Sequence, residues 1–212
     1  MNIEEEIFSY NVSRETYDKI DSFVKLLTEW NQKMNLVSKN SLADVWVRHV
    51  LDSAQLMTYL PTDLRHLVDI GSGAGFPAIV LAIMLQEKNP AAKITLIESI
   101  NKKTVYLKDV CEKLGLNNVQ IVNDRVENIN RITVFKDIDV ITARAVAALD
   151  VLCGYAKHIG GPKTKLLFLK GQKWAEEDTQ AQNHWQYDLT VYPNKYCLDG
   201  VVMELLNLRK KR

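Results

Sequence analysis

The stretch His66-Leu67-Val68-Asp69-Ile70-Gly71-Ser72-Gly73-Ala74-Gly75-Phe76-Pro77-Ala78 constrains this chain more than any other. An apolar run is followed by three glycines at alternate positions, and Pro77 then opens the amphipathic segment Ile79–Leu85. Buried strand, tight turn and helix follow from that order. Proline suits a first helical position, because the N–H it lacks would have no partner there. Glycines permit positive φ and let a ligand approach with no Cβ in the way. A doubly wound sheet presents a nucleotide-like ligand at such a place, the carboxyl end of its first strand.

The spacing narrows the ligand. Gly71 and Gly73 fill the first two places of the dinucleotide fingerprint G-x-G-x-x-G/A, but Phe76 stands at the third. The glycines run G-x-G-x-G instead, which suits S-adenosyl-L-methionine (S-adenosylmethionine), a cofactor without a pyrophosphate. A tight turn with no ligand is the other reading at this point. Lys93-Ile94-Thr95-Leu96-Ile97-Glu98 reads as a second strand ending in a carboxylate. Such an acid accepts hydrogen bonds from a ribose diol, or it complements a helix N-terminus.

The rest of the chain extends this pattern. Residues 13–36 carry Ile20, Phe23, Val24, Leu27, Trp30 and Met34 at helical spacing, with Ser13 as N-cap. Ser41-Leu42-Ala43-Asp44 reads as a capping box opening a second helix that Pro61 ends. His49 falls on its apolar face, and Arg48 and Asp52 are spaced for an ion pair on its solvated side. Residues 1–62 therefore form a helical cap, and 63–212 a sheet domain. In the latter, strands at 67–71, 93–98, 118–122, 137–142 and 165–169 alternate with helices at 77–87, 101–114 and 146–158. That alternation predicts an α/β fold with a doubly wound, mostly parallel sheet. Trp185–Tyr192 and Val201–Leu208 have no helix between them and predict a C-terminal antiparallel hairpin on the sheet edge.

Composition excludes several classes. With 212 residues, 47% of them apolar, the chain can bury a sizeable core. A net charge of +1 means that any contact with nucleic acid comes from local patches. Neither a signal peptide nor a bilayer-spanning run is expected, so no membrane partner is. Cys111, Cys153 and Cys197 suit reduced thiols and a cytoplasmic location. His49, His66, His158 and His184 lack metal-ligand spacing.

The residues also limit the chemistry of a methyl transfer. Transfer to a pyrimidine carbon needs a Cys nucleophile, yet Cys111 and Cys153 fall inside predicted helices. Transfer to an exocyclic amine commonly uses a polar-Pro-Pro-aromatic loop after strand four, where this chain has Thr142-Ala143-Arg144-Ala145. What remains is an acceptor with a free lone pair, such as guanine N7, or one deprotonated by a group not evident in the sequence.

Trp30-Asn31, Asn35-Leu36, Arg48-His49, Leu51-Asp52-Ser53, the Asp69–Pro77 turn, Leu96-Ile97-Glu98-Ser99 and Lys102-Lys103 together resemble one family. It is the bacterial 16S ribosomal RNA guanine-N7 methyltransferases, also called glucose-inhibited division protein B. Arg125-Val126-Glu127, Arg144-Ala145 and Lys170-Gly171 continue the pattern, which runs from about residue 20 to about residue 172. The resemblance implies a class I (Rossmann-like) methyltransferase with an N-terminal cap, acting on a guanine of small-subunit ribosomal RNA. It implies that Gly71, Gly73, Gly75 and Phe76 line the donor site and that Glu98 holds the ribose. Val126 and Glu127 would flank the adenine, and Arg144 would be the catalytic residue where cofactor and substrate meet. Arg48, Lys102, Lys103 and Lys170 would touch RNA phosphates, the alternative being solvated helix faces and a strand end. A cytoplasmic monomer working on 16S ribosomal RNA or the small ribosomal subunit is expected. Ala78 departs from the family, which usually has glycine there. The competing readings are a methyltransferase for a small molecule or protein, a nicotinamide-dependent oxidoreductase, and a binding protein that kept the fold.

Overall fold

A computed structural model describes residues 2–130 and 137–211. Strands β1 (His66–Ile70), β2 (Lys93–Ile97), β3 (Val119–Val122), β4 (Val140–Arg144), β5 (Lys165–Lys170), β6 (Trp185–Pro193) and β7 (Val201–Lys210) make one sheet. Among the described residues its order is β3-β2-β1-β4-β5-β7-β6. The first five strands pair in parallel and β7 is antiparallel to both its neighbours, so the expected edge hairpin is present. The strand order reverses between β1 and β4, which is where such sheets open a crevice at their carboxyl ends. β4 starts later than the sequence indicated. Asp139, just before it, spends its carboxylate on the backbone N–H groups of Arg65 (2.7 Å) and His66 (2.9 Å), tying off the start of β1.

The alternation of each strand sorts its residues between two cores. Leu67, Leu96, Val140, Leu167 and Leu169 face one side, and Val68, Ile97, Ile141, Leu166 and Phe168 the other. On the first side lie the N-terminal helices α1 (Ile3–Phe8), α2 (Arg14–Asn31) and α3 (Lys39–Ala43), with α4 (Ala78–Lys88) and α5 (Asn101–Lys113). On the second lie α6 (Leu149–Ile159) and α7 (Trp174–Ala181). Ala78 to Leu85 are buried without interruption, so α4 is covered all round rather than amphipathic: sheet below, cap above.

The cap departs from the sequence reading in one respect. Ser13 does cap α2, its Oγ accepting from Thr16 N at 3.3 Å. The second helix is not regular. Ser38, not Ser41, caps α3, which stops at Ala43. The chain then winds through a π-helical turn at Trp46–Leu51, a single α-turn at Asp52–Ala54 and a 3-10 turn at Gln55–Tyr59. A π-turn rotates the residues after it relative to a regular helix. The ion pair expected between Arg48 and Asp52 does not form, because the Asp52 carboxylate turns inward to other partners. Of the basic ending, Arg209 and Lys210 are exposed in β7, and Arg212 lies outside the described residues.

Candidate active site

The glycine turn is bound to β2 at its base: Gly71 N and Ser72 N both donate to the Ile97 carbonyl, at 2.9 and 3.1 Å. Tyr106 on α5 braces its middle, its hydroxyl donating to the Ala74 carbonyl at 3.0 Å. Gly71, Gly73 and Gly75 all have positive φ. Their surroundings differ. A Cβ on Gly71 would stand 2.7 Å from Val146, and one on Gly75 would stand 2.7 Å from Ile79. Those two glycines are required by packing. A Cβ on Gly73 would meet nothing closer than the Gly71 carbonyl at 3.7 Å, so the space there is open.

Glu98 sits directly beside it. Its carboxylate accepts from Gly73 N (2.9 Å) and Ile100 N (2.8 Å), which fixes the acid at the tip of β2. Beyond it lies a cleft of about 120 Å³, lined by Gly71, Ser99, Val126, Glu127, Val146 and Tyr155 among others. Val126 is a buried wall, and Glu127 takes a hydrogen bond from the Tyr155 hydroxyl at 3.0 Å. Glycine gap, buried carboxylate and a cleft of mixed polarity therefore follow one another along the carboxyl ends of β1 to β3. These residues fit S-adenosylmethionine: Gly71 and Gly73 would pass under its amino-acid part, Glu98 would face the ribose and Val126 the adenine. Larger cavities lie elsewhere, among them one between α2 and α4 and one at the opposite end of the strands.

Phe76 does not line that cleft. Its ring stacks on His49 (centroids 4.9 Å apart) and lies 5.2 Å beneath the guanidinium carbon of Arg144. Arg144 ends β4 on the cap side of the sheet, since Ile70 registers with Ala143. Its Nη1 donates to the Arg48 carbonyl (3.0 Å) and to Asp52 Oδ2 (2.8 Å), and its Nη2 donates to His49 Nδ1. Burial first, then the charges of Arg144 and Arg48, push the His49 imidazole down to about 3. His49 is thus neutral, with its Nδ1 lone pair committed, and it is no general base. Its Nε2 has no hydrogen-bond partner among the described residues. It is therefore only half satisfied as a core histidine.

Sequence reasoning gave Asp52 only an ion pair on a solvated face and Asp69 only a place in the family turn, and it passed over Gln55 and Asn194. Asp52 stands among Val50, Leu51 and Ala54, and a carboxylate in that buried company was the available signal. Asn194, in the β6–β7 turn, carried no signal at all. Asp69 is fully buried on β1, where Thr142 Oγ1 donates to its Oδ1 at 2.6 Å. Burial pushes its carboxyl up to about 7, against the opposing pull of Thr142, Ser72 and Arg144.

The basic residues divide. Arg48 and Lys102 are exposed, Lys103 is half-buried, and none of the three pairs with a carboxylate among the described residues. Lys170 is a correction. Its ammonium points inward to the Ala147 carbonyl (2.9 Å) and to Glu177 (2.5 Å), with its side chain 9% exposed. It holds the β4–α6 loop and is not placed to take a phosphate. Burial pushes the Cys111 and Cys153 thiols up to about 12, so neither is an activated nucleophile. Among the described residues no His, Cys, Asp and Glu cluster could hold a metal, and no helix is long and apolar enough to cross a membrane.

Known proteins match both chain and fold. A SAM-dependent methyltransferase from Aquifex aeolicus superposes with a TM-score of 0.57 at 18% identity, covering 73% of this chain and 89% of that one. The ribosomal RNA small subunit methyltransferase G of Rickettsia akari is 40% identical over 199 residues, 94% of this chain and 98% of the relative. That of Parvibaculum lavamentivorans is also 40% identical, over 93% of this chain and 86% of its own length. The profile of the family described as rRNA small subunit methyltransferase G matches residues 16–199. With likeness at that level over nearly its whole length, the chain belongs to the rRNA small subunit methyltransferase G family.

Proposed function

We propose that this chain transfers the methyl group of S-adenosylmethionine to N7 of a guanine in 16S ribosomal RNA, as a cytoplasmic monomer. The cofactor supplies a methyl group already activated on a sulfonium, so the protein's task is chiefly alignment. The observation that carries the N7 reading is the state of the titratable groups around Arg144. His49 is neutral and engaged and Asp69 is sealed from solvent, while the Cys111 and Cys153 thiols, on α5 and α6, are kept protonated by desolvation. None of them is fit to take a proton from an acceptor. Guanine N7 has its lone pair free at neutral pH and presents it in the Hoogsteen edge beside O6. Arg144 holds the base through its planar guanidinium. Arg48, Lys102 and Lys103 meet the RNA backbone, which fits a molecule whose net charge is only +1.

The test is to incubate the protein with radiolabelled methyl donor and separated ribosomal subunits or their naked RNA, then map the label. Label on N7 of one small-subunit guanine is expected. The salt dependence of RNA binding should weaken in Lys102→Glu with Lys103→Glu, while the affinity for S-adenosylhomocysteine stays unchanged. Label in the large subunit, in a ribosomal protein or on another base atom overturns the reading.

A further inference from the structure

Arg144 is held in place by side chains and a backbone carbonyl of the cap, with Phe76 of the glycine turn beneath it. Its Nη1 is used twice, by Asp52 and the Arg48 carbonyl, and its Nη2 once, by His49. Phe76 lies under the guanidinium plane. Among the described residues nothing takes the Nε–H or the second hydrogen of Nη2. The group is thus fixed along one edge, and the donors of the other are left without a partner among the described residues, in a side chain that is 16% exposed.

Asp52 is the charged member of that fixed edge and the carboxylate that pairs with Arg144. It is itself immobile. Its Oδ1 accepts from Asn194 Nδ2 (2.6 Å) and from Gln55 Nε2 (3.1 Å), leaving Oδ2 to Arg144. The two amides are anchored in turn. Asn194 Oδ1 accepts from Tyr196 N (2.9 Å) and Cys197 N (3.0 Å), and Gln55 Oε1 accepts from Lys195 N (3.2 Å). A chain of hydrogen bonds therefore runs from the backbone of the β6–β7 turn, through the cap, to the tip of β4. The π-turn at Trp46–Leu51 brings His49 and Asp52 to the same guanidinium.

We propose that Asp52, backed by Gln55 and Asn194, is the positioning residue of the reaction: it fixes one edge of Arg144 so that the other is presented to the RNA base. This rests on the methyl-transfer reading above. It also gives the C-terminal hairpin a role in the site, through Asn194, beyond closing the sheet edge.

Asp52→Asn keeps the shape but removes the charge, and its single amide oxygen cannot accept both from Arg144 and from the Asn194 and Gln55 amides, so one side of it meets opposed donors. The expected result under single-turnover conditions is a fall in rate of roughly ten- to a hundredfold, the scale of a misplaced reacting group. The dissociation constant of S-adenosylhomocysteine should stay close to that of the unaltered protein, while the melting temperature falls by several degrees because a buried ion pair is broken. Asp52→Glu should recover part of the rate, and Asn194→Ala should lose less than Asp52→Asn because the ion pair survives. Added guanidinium ion should restore part of the rate to Arg144→Ala, and should fail once Asp52→Asn is also present. If Asp52→Asn does not fold, Asn194→Ala and guanidinium rescue of Arg144→Ala carry the test. An unchanged rate in Asp52→Asn overturns the proposal, as does a parallel loss of rate and donor affinity. Absence of methyl transfer by the unaltered protein overturns the functional reading, and the proposal with it. Transfer by that protein with an unaffected Asp52→Asn overturns the proposal alone.

Discussion

Two buried side chains near Arg144 titrate in opposite senses. His49 is held down to about 3 by burial and by Arg144 and Arg48, against an ordinary value of 6.5. Below that ordinary value the unfolded chain binds a proton that the folded one refuses. Stability from His49 is therefore full above it and is lost as pH falls toward 3. Asp69 is raised by burial from 3.8 to about 7. Between those values the folded state keeps a proton that the unfolded state has released, so stability from Asp69 is full below 3.8 and is lost as pH rises toward 7. The two slopes oppose each other across the same window. Removing either group exposes the other. Asp69→Asn should make stability rise more steeply from about pH 4 to about pH 7, and His49→Gln should make it rise less or fall. Urea denaturation of both variants at several pH values checks this. Parallel profiles for the two variants would show that neither group carries the pH dependence. Little of this was legible in sequence. His49 read as an ordinary core histidine, and the state of Asp69 depends on Thr142, which β4 brings alongside it by register.

At the scale of elements, the loop between β4 and α6 is where sequence and structure diverge most usefully. Ala145 there has a φ of 55°, in the left-handed region, and Val146 packs over Gly71. The loop is clamped from the other side of the sheet. Lys170 binds the Ala147 carbonyl, Glu177 accepts from Leu149 N at 2.8 Å, and the two side chains pair. Lys170→Met leaves a carbonyl and a carboxylate without their partner, a loss on the order of 2 kcal/mol. In a chain of this length that lowers the melting temperature by about 4–8 °C. A scanning calorimetry trace decides it, together with the salt dependence of RNA binding, which should not change. An unaltered melting temperature with a shallower salt dependence would return Lys170 to the RNA. The sequence could not distinguish these roles. Glu177 lies on α7, and that helix was not foreseen, because only Ala181 of its eight residues is buried and no apolar stripe marks it. The long periodic elements were legible for the converse reason. α2, the parallel strands and the closing hairpin bury one face or both, and burial writes the period into the sequence. The irregular stretch from Trp46 to Tyr59 has apolar residues at helical spacing too, so its π- and 3-10 winding was invisible until Arg144 was seen beneath it.

The sheet domain depends on the cap to complete its own core. The sequence divides at about residue 62, but the apolar core does not. Ile20, Phe23 and Leu27 of α2 are fully buried in the same cluster as Ile79, Leu81 and Ile83 of α4 and as Leu67 and Leu96 of the sheet. Polar contacts cross the same seam: Glu87 on α4 accepts from Ser13 N and Ser13 Oγ, each at 2.9 Å. Trp30 Nε1 donates to Asp109 on α5 at 2.7 Å. Removing residues 1–62 would lay bare one side of α4, a helix with no polar face to offer water. Gly75 would also lose Phe23 from its side, and Arg144 would lose Asp52, His49 and the Arg48 carbonyl together. The isolated 63–212 fragment should therefore fail to fold, aggregating on expression or binding a hydrophobic dye without binding S-adenosylhomocysteine. The full chain should unfold in one calorimetric transition, with calorimetric and van't Hoff enthalpies in agreement, since one core serves both parts. A soluble fragment that binds S-adenosylhomocysteine as the whole chain does, or two separate transitions in the full chain, would show the cap to be an independent domain. The Arg144 network would then have to be read as a contact between domains.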